Sequence, residues 1–276
     1  MLETLQFNLA GKAFPLLFLI PLLPLLGAFI AGILGAQLQK RFGKWVINVV
    51  ALTPVWLSFA ISVYAFLTLV RTPDVILTDS LWKWIDFRWQ GVHIDVDFSF
   101  AVDRLSSVMI LVVTGVGSLI HVFSTGYMQD EKPYWRFFAE MNLFMFAMLV
   151  LVMGDSFLMM FVGWEGVGLC SYLLISYYYE EKDKAAAGMK AFVVNRIGDF
   201  AFIAGMALLL WGLVGTWRDG GYVFEGGTQP TLVFRKIEAL LMSPDFRAAF
   251  LAREAWGMPV VTLSTILFFI GACGKS

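Results

Sequence analysis

The sequence predicts an all-α transmembrane protein, a polytopic bundle of about seven spans in a single membrane domain over residues 1–276. Three observations carry this. Of the 276 residues 59% are hydrophobic and 15% are charged, with a mean hydropathy of +0.76, whereas soluble domains carry about 25% charge. The apolar residues come in long blocks: 13–39, 46–70 and 105–127 contain no Asp, Glu, Lys or Arg, and each exceeds the roughly 20 residues a helix needs to cross about 30 Å of hydrocarbon. The net charge is −1, with 20 basic against 21 acidic residues, which removes the electrostatic case for a nucleic-acid partner and leaves the lipid bilayer as the first partner.

The first span is expected over residues 14–38. A cleavable signal peptide fits it poorly, because signal cores run about 7–15 residues behind a basic segment, and this block is longer and preceded by Glu3. The second span covers 46–70. Beyond it, 82–89 and 92–98 alternate apolar with polar residues and are joined by Gln90-Gly91, the pattern of a short β-hairpin. Two spans and this loop make up 1–104; the remainder, 105–276, holds the other spans.

Those spans are 105–127, 137–153, 156–179, 185–213 and 260 onward. Residues 232–242 place Leu232, Ile237, Leu240 and Leu241 in a loosely amphipathic pattern, a short interfacial helix ended by Pro244. From Val260 to Ser276 there are 17 residues, about 25 Å of helix, so the last span is expected to be cut short and the chain to be an N-terminal fragment. Trp45, Trp135, Trp217 and Trp256 fall near span ends, the headgroup level that indole rings favour.

Lys and Arg in alternate loops set the orientation. Lys40, Arg41 and Lys44, then Lys132 and Arg136, then Lys182, Lys184 and Lys190 fall on one side in short loops. That side is expected to be cytoplasmic, which puts the N-terminus and the hairpin outside.

An ionisable group at mid-membrane costs about 2.5–3.5 kcal/mol on insertion scales and is a functional candidate by default. Glu165 is the only charge in 156–179, about 13 Å from the start of that block. Arg196 and Asp199 are three residues apart in the sixth span and share a face where they can pair; such a pair serves structure as well as function. His121 and Glu140 fall toward the cytoplasmic ends of spans three and four. A backbone hydrogen bond for the histidine and reach to the interface for the glutamate are the plain readings; a proton-carrying histidine and a proton intake point at Glu140 are the functional ones. Lys275 reads either as a basic flank of the last span or as a lysine within the hydrocarbon.

Cys170 and Cys273 lie in apolar segments without CxxC spacing and read as buried small hydrophobes, not as ligands. The terminal Gly271-Ala-Cys-Gly-Lys-Ser276 has Phe269 where a phosphate-binding loop needs its first glycine, so nucleotide binding is rejected there. The glycines of Gly163-Trp-Glu-Gly-Val-Gly168 instead suit close helix contact around Glu165. No Cys cluster for iron–sulfur ligation and no dinucleotide fingerprint is present.

The run Phe161-Val-Gly-Trp-Glu-Gly-Val-Gly-Leu-Cys-Ser-Tyr-Leu-Leu-Ile175 resembles the L subunit, or subunit 5 type, of respiratory NADH:quinone oxidoreductase (complex I). Asp103-Arg-Leu-Ser, Thr114-Gly-Val-Gly, Arg136-Phe-Phe-Ala, Met189-Lys-Ala-Phe-Val-Val-Asn-Arg-Ile-Gly-Asp199 and Gly274-Lys-Ser276 resemble it in the same order. The resemblance implies an antiporter-like fold of fourteen core helices in two inverted repeats, of which this chain holds part, in a bacterial inner membrane. It maps Glu165 and Lys275 onto the family's Glu/Lys pair for proton translocation, with Arg196 and Asp199 as sources of electrostatic bias on that pair; His121 is a further proton-path candidate from its intramembrane position. It also implies that NADH, flavin, iron–sulfur clusters and quinone belong to partner subunits, among them a neighbouring antiporter-like subunit. The competing class is a subunit of a multisubunit cation/proton antiporter; whether sodium also moves stays open.

Overall fold

The computed structural model describes residues 11–72, 75–89, 92–218, 221–224 and 231–275. Among them six helices are long and apolar enough to span a membrane: α1 (Leu19–Phe42), α2 (Lys44–Arg71), α3 (Arg104–Tyr127), α4 (Tyr134–Met153), α5 (Phe157–Ile175) and α6 (Lys182–Val214). Two short helices, α7 (Phe234–Met242) and α8 (Pro244–Leu251), precede a shorter apolar helix, α9 (Val260–Lys275). The first six expected spans are therefore present, with boundaries shifted by a few residues, and the seventh, expected to be short, corresponds to α9. The largest shift is at the first. Strand β1 (Lys12–Ala13) pairs in parallel with β2 (Leu77–Trp89) through Lys12↔Leu77 and Ala13↔Thr78, and the Phe18 amide donates to the Asp79 carboxylate at 3.3 Å. This tether delays the helix until Leu19.

The chain divides into two compact units. The first comprises the described residues of Met1–Asp79, Phe100–Gly154 and Met159–Phe192. In it α1 presents Gly27, Ala28, Ala31 and Gly35 as its buried stripe. A Cβ on Gly27 would lie 2.7 Å from the Asn142 side-chain oxygen, and one on Gly35 would lie 2.8 Å from the Trp135 Cβ. Small residues thus let α1 and α4 approach closely, the usual basis of helix association in lipid.

Helix α3 is polar on the inside. Its buried residues include Ser107, Thr114, Ser118, His121 and Ser124, while Leu105, Val112, Val116, Leu119 and Phe123 are exposed. In water that arrangement would be inverted; here the exposed apolar face is the one suited to hydrocarbon. The start of α3 is fixed by a capping box: the Ser106 amide donates to the Asp103 carboxylate at 2.7 Å and the Asp103 amide donates to the Ser106 hydroxyl at 2.8 Å. Part of what Asp103-Arg-Leu-Ser encodes is therefore a helix N-terminus. The α1–α2, α3–α4 and α5–α6 connections meet at one end of this unit. Gln39 donates to the Lys132 carbonyl at 3.0 Å, Lys44 donates to that of Gln129, and the Tyr178 hydroxyl bonds Glu131 at 2.8 Å.

The second unit comprises the described residues of Ser80–Ser99, Asp155–Leu158 and Val193–Ser276. Strands β2 and β3 (Val92–Val102) are neighbours in the sheet order β1-β2-β3. The expected hairpin is thus present with longer strands and an added third one, and the stacked rings of Trp82 and Phe98 stand 4.2 Å apart. The Gln90-Gly91 join lies outside the described residues. Val96, Met206 and Leu232 form the core here, with Phe157 and Phe268 stacked at 5.1 Å.

The loop after α6 differs from the expectation of a single short helix. It contains a second hairpin of β4 (Gly215–Arg218) and β5 (Gly221–Phe224), then α7, α8 and a tight hairpin of β6 (Glu254–Ala255) and β7 (Met258–Pro259). Pro244 begins α8 as well as following α7, consistent with the fixed φ of proline at a first helical position. Trp256 and Gly257, at φ 52° and 77°, form the β6–β7 turn, where a two-residue hairpin favours positive φ.

Candidate functional site

Glu165 lies midway along α5 and is half-buried. The glycines beside it set the geometry. A Cβ on Gly163 would lie 2.3 Å from the Leu151 amide nitrogen, and one on Gly166 would lie 2.9 Å from the Ala147 Cβ. The α4 and α5 backbones therefore touch next to Glu165, as the small-residue reading of this motif required.

Glu140 is 8% exposed on α4. The Arg136 Nε stands 3.4 Å from its Oε1, an i, i+4 pair, while its Oε2 has no hydrogen-bond partner among the described residues. Arg136 also donates to the Tyr177 carbonyl, and its guanidinium lies 4.6 Å from the Tyr177 ring and 5.0 Å from that of Tyr179. Burial, partly offset by Arg136, pushes the Tyr177 phenol up to about 12, so it stays a neutral donor, bonding the Pro133 carbonyl at 3.1 Å.

His121 is fully buried. Its Nδ1 is 2.8 Å from the Gly117 carbonyl, which is the plain reading of a lone intramembrane histidine, but its Nε2 lacks a hydrogen-bond partner among the described residues. Its ring centre is 6.3 Å from that of Phe138. Two residues on a helix turn about 200°, so Glu140 projects from the side of α4 opposite Phe138. His121 and Glu140 share an end of this unit but not a face of α4.

Asp199, Arg196 and Lys275 belong to the second unit. Asp199 is 3% exposed, Arg196 is exposed and Lys275 is half-buried. A Cβ on Gly274 would lie 2.6 Å from the Gly198 Cα, so α6 and α9 meet backbone to backbone there. Asp199 and Lys275 each follow one of these glycines directly. The pattern read at the sequence level as a rejected phosphate loop is thus a helix-crossing point.

Among the described residues, the buried groups missed from sequence include Asn142 and Asp155. Asn142 is fully buried in α4 with its amide donating to Phe138. Asp155, 2% exposed, receives Arg235 Nε at 2.9 Å and Nη2 at 2.5 Å and the Ser99 hydroxyl at 3.2 Å. Arg136 was read as loop charge and as part of a family-like run, although its spacing from Glu140 could have revealed the pair. Cys170 is buried as expected, whereas Cys273 is exposed on α9; an apolar segment in lipid has an outer face, so hydropathy did not settle burial. Among the described residues no three His, Cys, Asp or Glu side chains gather as a metal site requires.

Comparison with known proteins adds the following. A family profile described as the N-terminus of NADH-ubiquinone oxidoreductase (complex I) chain 5 matches residues 89–138, and one described as the transmembrane region of NADH:quinone oxidoreductase/Mrp antiporters matches 154–275. Proteins named NADH-quinone oxidoreductase subunit L are 33% identical over 265 residues in Neisseria meningitidis serogroup A and 39% identical over 255 residues in Escherichia coli K12. These alignments cover 95% and 92% of this chain but 35% and 36% of the relatives. The chain thus spans about a third of their length. The fold is also similar to a chain in the structure of the membrane-bound sulfane sulfur reductase, an archaeal respiratory membrane complex, with a TM-score of 0.62 and 19% identity over 93% of this chain and 44% of that one.

Proposed function

The chain belongs to the L-subunit (chain 5) family of antiporter-like membrane proteins, and on that premise we propose that it acts as a proton-translocating membrane subunit of NADH:quinone oxidoreductase. In this reading quinone is reduced by partner subunits and the energy reaches this chain as movement of charge. NADH, flavin, iron–sulfur clusters and quinone are held elsewhere in the complex, and the neighbours are other membrane subunits, an antiporter-like one among them.

The observation that carries the reading is Glu165, set midway along an apolar helix where glycines bring α4 and α5 together. An ammonium in hydrocarbon is costly and a carboxylate nearby lowers that cost. A change of charge near Glu165 would then switch Lys275 between holding and releasing a proton. Asp199 and Lys275, each beside a glycine of the α6–α9 crossing, support a role for Asp199 and Arg196 as part of that electrostatic bias. One charge moved across 100 mV is worth about 2.3 kcal/mol.

The test uses the full-length protein in its assembled complex. Glu165→Gln is expected to lower proton uptake per NADH oxidised in vesicles more than Glu140→Gln does. Wild-type uptake by an assembled Glu165→Gln complex would reduce Glu165 to a helix contact. The second reading, a subunit of a cation/proton antiporter, is favoured by the description of the profile over 154–275. Failure of the protein to co-purify with NADH dehydrogenase activity would select it.

The proposed placement is multi-pass in a bacterial inner membrane with the N-terminus outside. Its support is that the short basic loops of the first unit meet at one end, the distribution expected of a cytoplasmic face. A cysteine introduced at Lys184 should resist an impermeant thiol reagent added to intact cells; rapid labelling from outside would reverse the topology.

A further inference from the structure

Between α4 and α5, within the first unit, lies a cavity of about 60 Å³. Leu143, Ala147 and Val150 form one wall and Val162, Gly166 and Leu169 the other. Its surface is almost wholly apolar. A buried water needs about 10–15 Å³ of such space, so the volume admits more than one.

Two carboxyl-bearing residues lie within a helical turn of this lining without belonging to it. On α4, Glu140, Leu143, Ala147 and Val150 follow one another at steps of three and four, so they form one stripe. On α5, Glu165 is three residues after Val162 and four before Leu169, which puts it on the flank of the opposite wall. The register is set by the close contacts of Gly163 with Leu151 and of Gly166 with Ala147. Counted along it, Glu140 and Glu165 differ in depth by about 12 Å, a gap too long for direct proton exchange and short enough for a few waters. Glu140 is 8% exposed and its Oε2 has no hydrogen-bond partner among the described residues.

We propose that Glu140 and Glu165 are the two ends of a gated proton path along the α4–α5 groove, with Arg136 as the latch at its loop end. The proposal rests on the reading of Glu165 as a proton-carrying group. The relay is a proton exchange with no net chemistry: the Glu140 carboxylic acid gives its proton to the first water of a transient file, the last water gives one to the Glu165 carboxylate, and Glu140 is left ionised. Arg136 then compensates that charge, and the 3.4 Å contact of its Nε with Oε1 is the discharged state of the path. When Glu140 takes up its next proton, the guanidinium keeps partners of its own in the Tyr177 carbonyl and the rings of Tyr177 and Tyr179. Apolar walls make the groove a gate, because hydrophobic constrictions conduct when wetted and close when they dewet.

The experiment compares Glu140→Gln, Leu143→Trp, their double variant and Glu165→Gln in the assembled complex, reading protons taken up per NADH oxidised in vesicles at equal complex content. Leu143→Trp fills the groove without touching a titratable group. It and Glu140→Gln should each lower uptake about twofold or more, and the double variant should fall no further, because two blocks on one path do not add. Val162→Trp, from the more exposed opposite wall, replaces Leu143→Trp if the latter fails to assemble. Wild-type uptake with the groove filled, or losses that multiply in the double variant, overturns the path. If Glu165→Gln loses uptake while Glu140→Gln and the filled groove do not, the path fails and the role of Glu165 stands. If Glu165→Gln keeps wild-type uptake, both fail.

Discussion

The inner face of α3 and the turn at Asp155 both carry polar groups away from solvent, and they satisfy them by opposite routes. On α3, Ser107 bonds the carbonyl three residues back at 2.7 Å, and Thr114, Ser118 and His121 bond carbonyls four residues back at 2.6, 2.6 and 2.8 Å. Each of these bonds is made within the residue's own helix. At Asp155 the partners are Ser99 and Arg235, 56 and 80 residues away. A buried charge there ties a strand, an interhelical turn and the start of α7 together, because the Asp155 amide also donates to the Ser99 carbonyl and its carbonyl accepts from Phe234. Local bonds let a helix bury polar surface at little cost to its neighbours. The long-range pair instead makes distant segments depend on one another.

The largest effect that tests this contrast is at Asp155. Asp155→Ala leaves Arg235 without the carboxylate that receives two of its N–H groups. Breaking a buried pair from one side costs about 3–5 kcal/mol, and the lower end is expected because the Arg235 side chain keeps 21% of its surface exposed. The purified complex should unfold at a lower temperature, and α7 should become accessible to protease before the spanning helices do. A loss below about 1 kcal/mol, typical of exposed pairs, would mean that the turn is held by its backbone bonds alone.

The same contrast explains what could be read from the sequence. The first three spans followed from uncharged blocks, and the hairpin from alternation, because both patterns are local. The capping box at Asp103 and Ser106 is local too, and so is the Arg136–Glu140 spacing that was legible but not read. Opposite faces of α4 for Phe138 and Glu140 follow from a 200° turn, yet which of those faces meets α3 depends on how the helices pack. The Asp155–Arg235 pair and the Gly198–Gly274 crossing join residues 80 and 76 positions apart; no periodicity encodes them. Lys275 shows the limit most clearly. Hydropathy alone left it as flank or buried lysine, the resemblance gave it a role, and the packing of α9 on α6 put it beside the glycine contact that adjoins Asp199.

The smallest effect is expected on α3. Ser118→Ala removes a hydroxyl that is fully buried and bonded to the Thr114 carbonyl at 2.6 Å. That carbonyl sits inside the helix and keeps its backbone partner, so no buried acceptor is orphaned. The hydroxyl would also find a helical carbonyl before the helices associate, which is why polar contacts in membranes average about 0.6 kcal/mol. Alanine is in addition the better helix former, by a few tenths of a kcal/mol. The net change should therefore be at most about 0.6 kcal/mol, measured as the shift in thermal midpoint of the detergent-solubilised complex beside Asp155→Ala. A loss comparable to that of Asp155→Ala would break the comparison: Ser118 would then be holding a partner across helices. The Nε2 of His121, one turn further along the same face and without a hydrogen-bond partner among the described residues, would be the first group to examine for a shared bridging water.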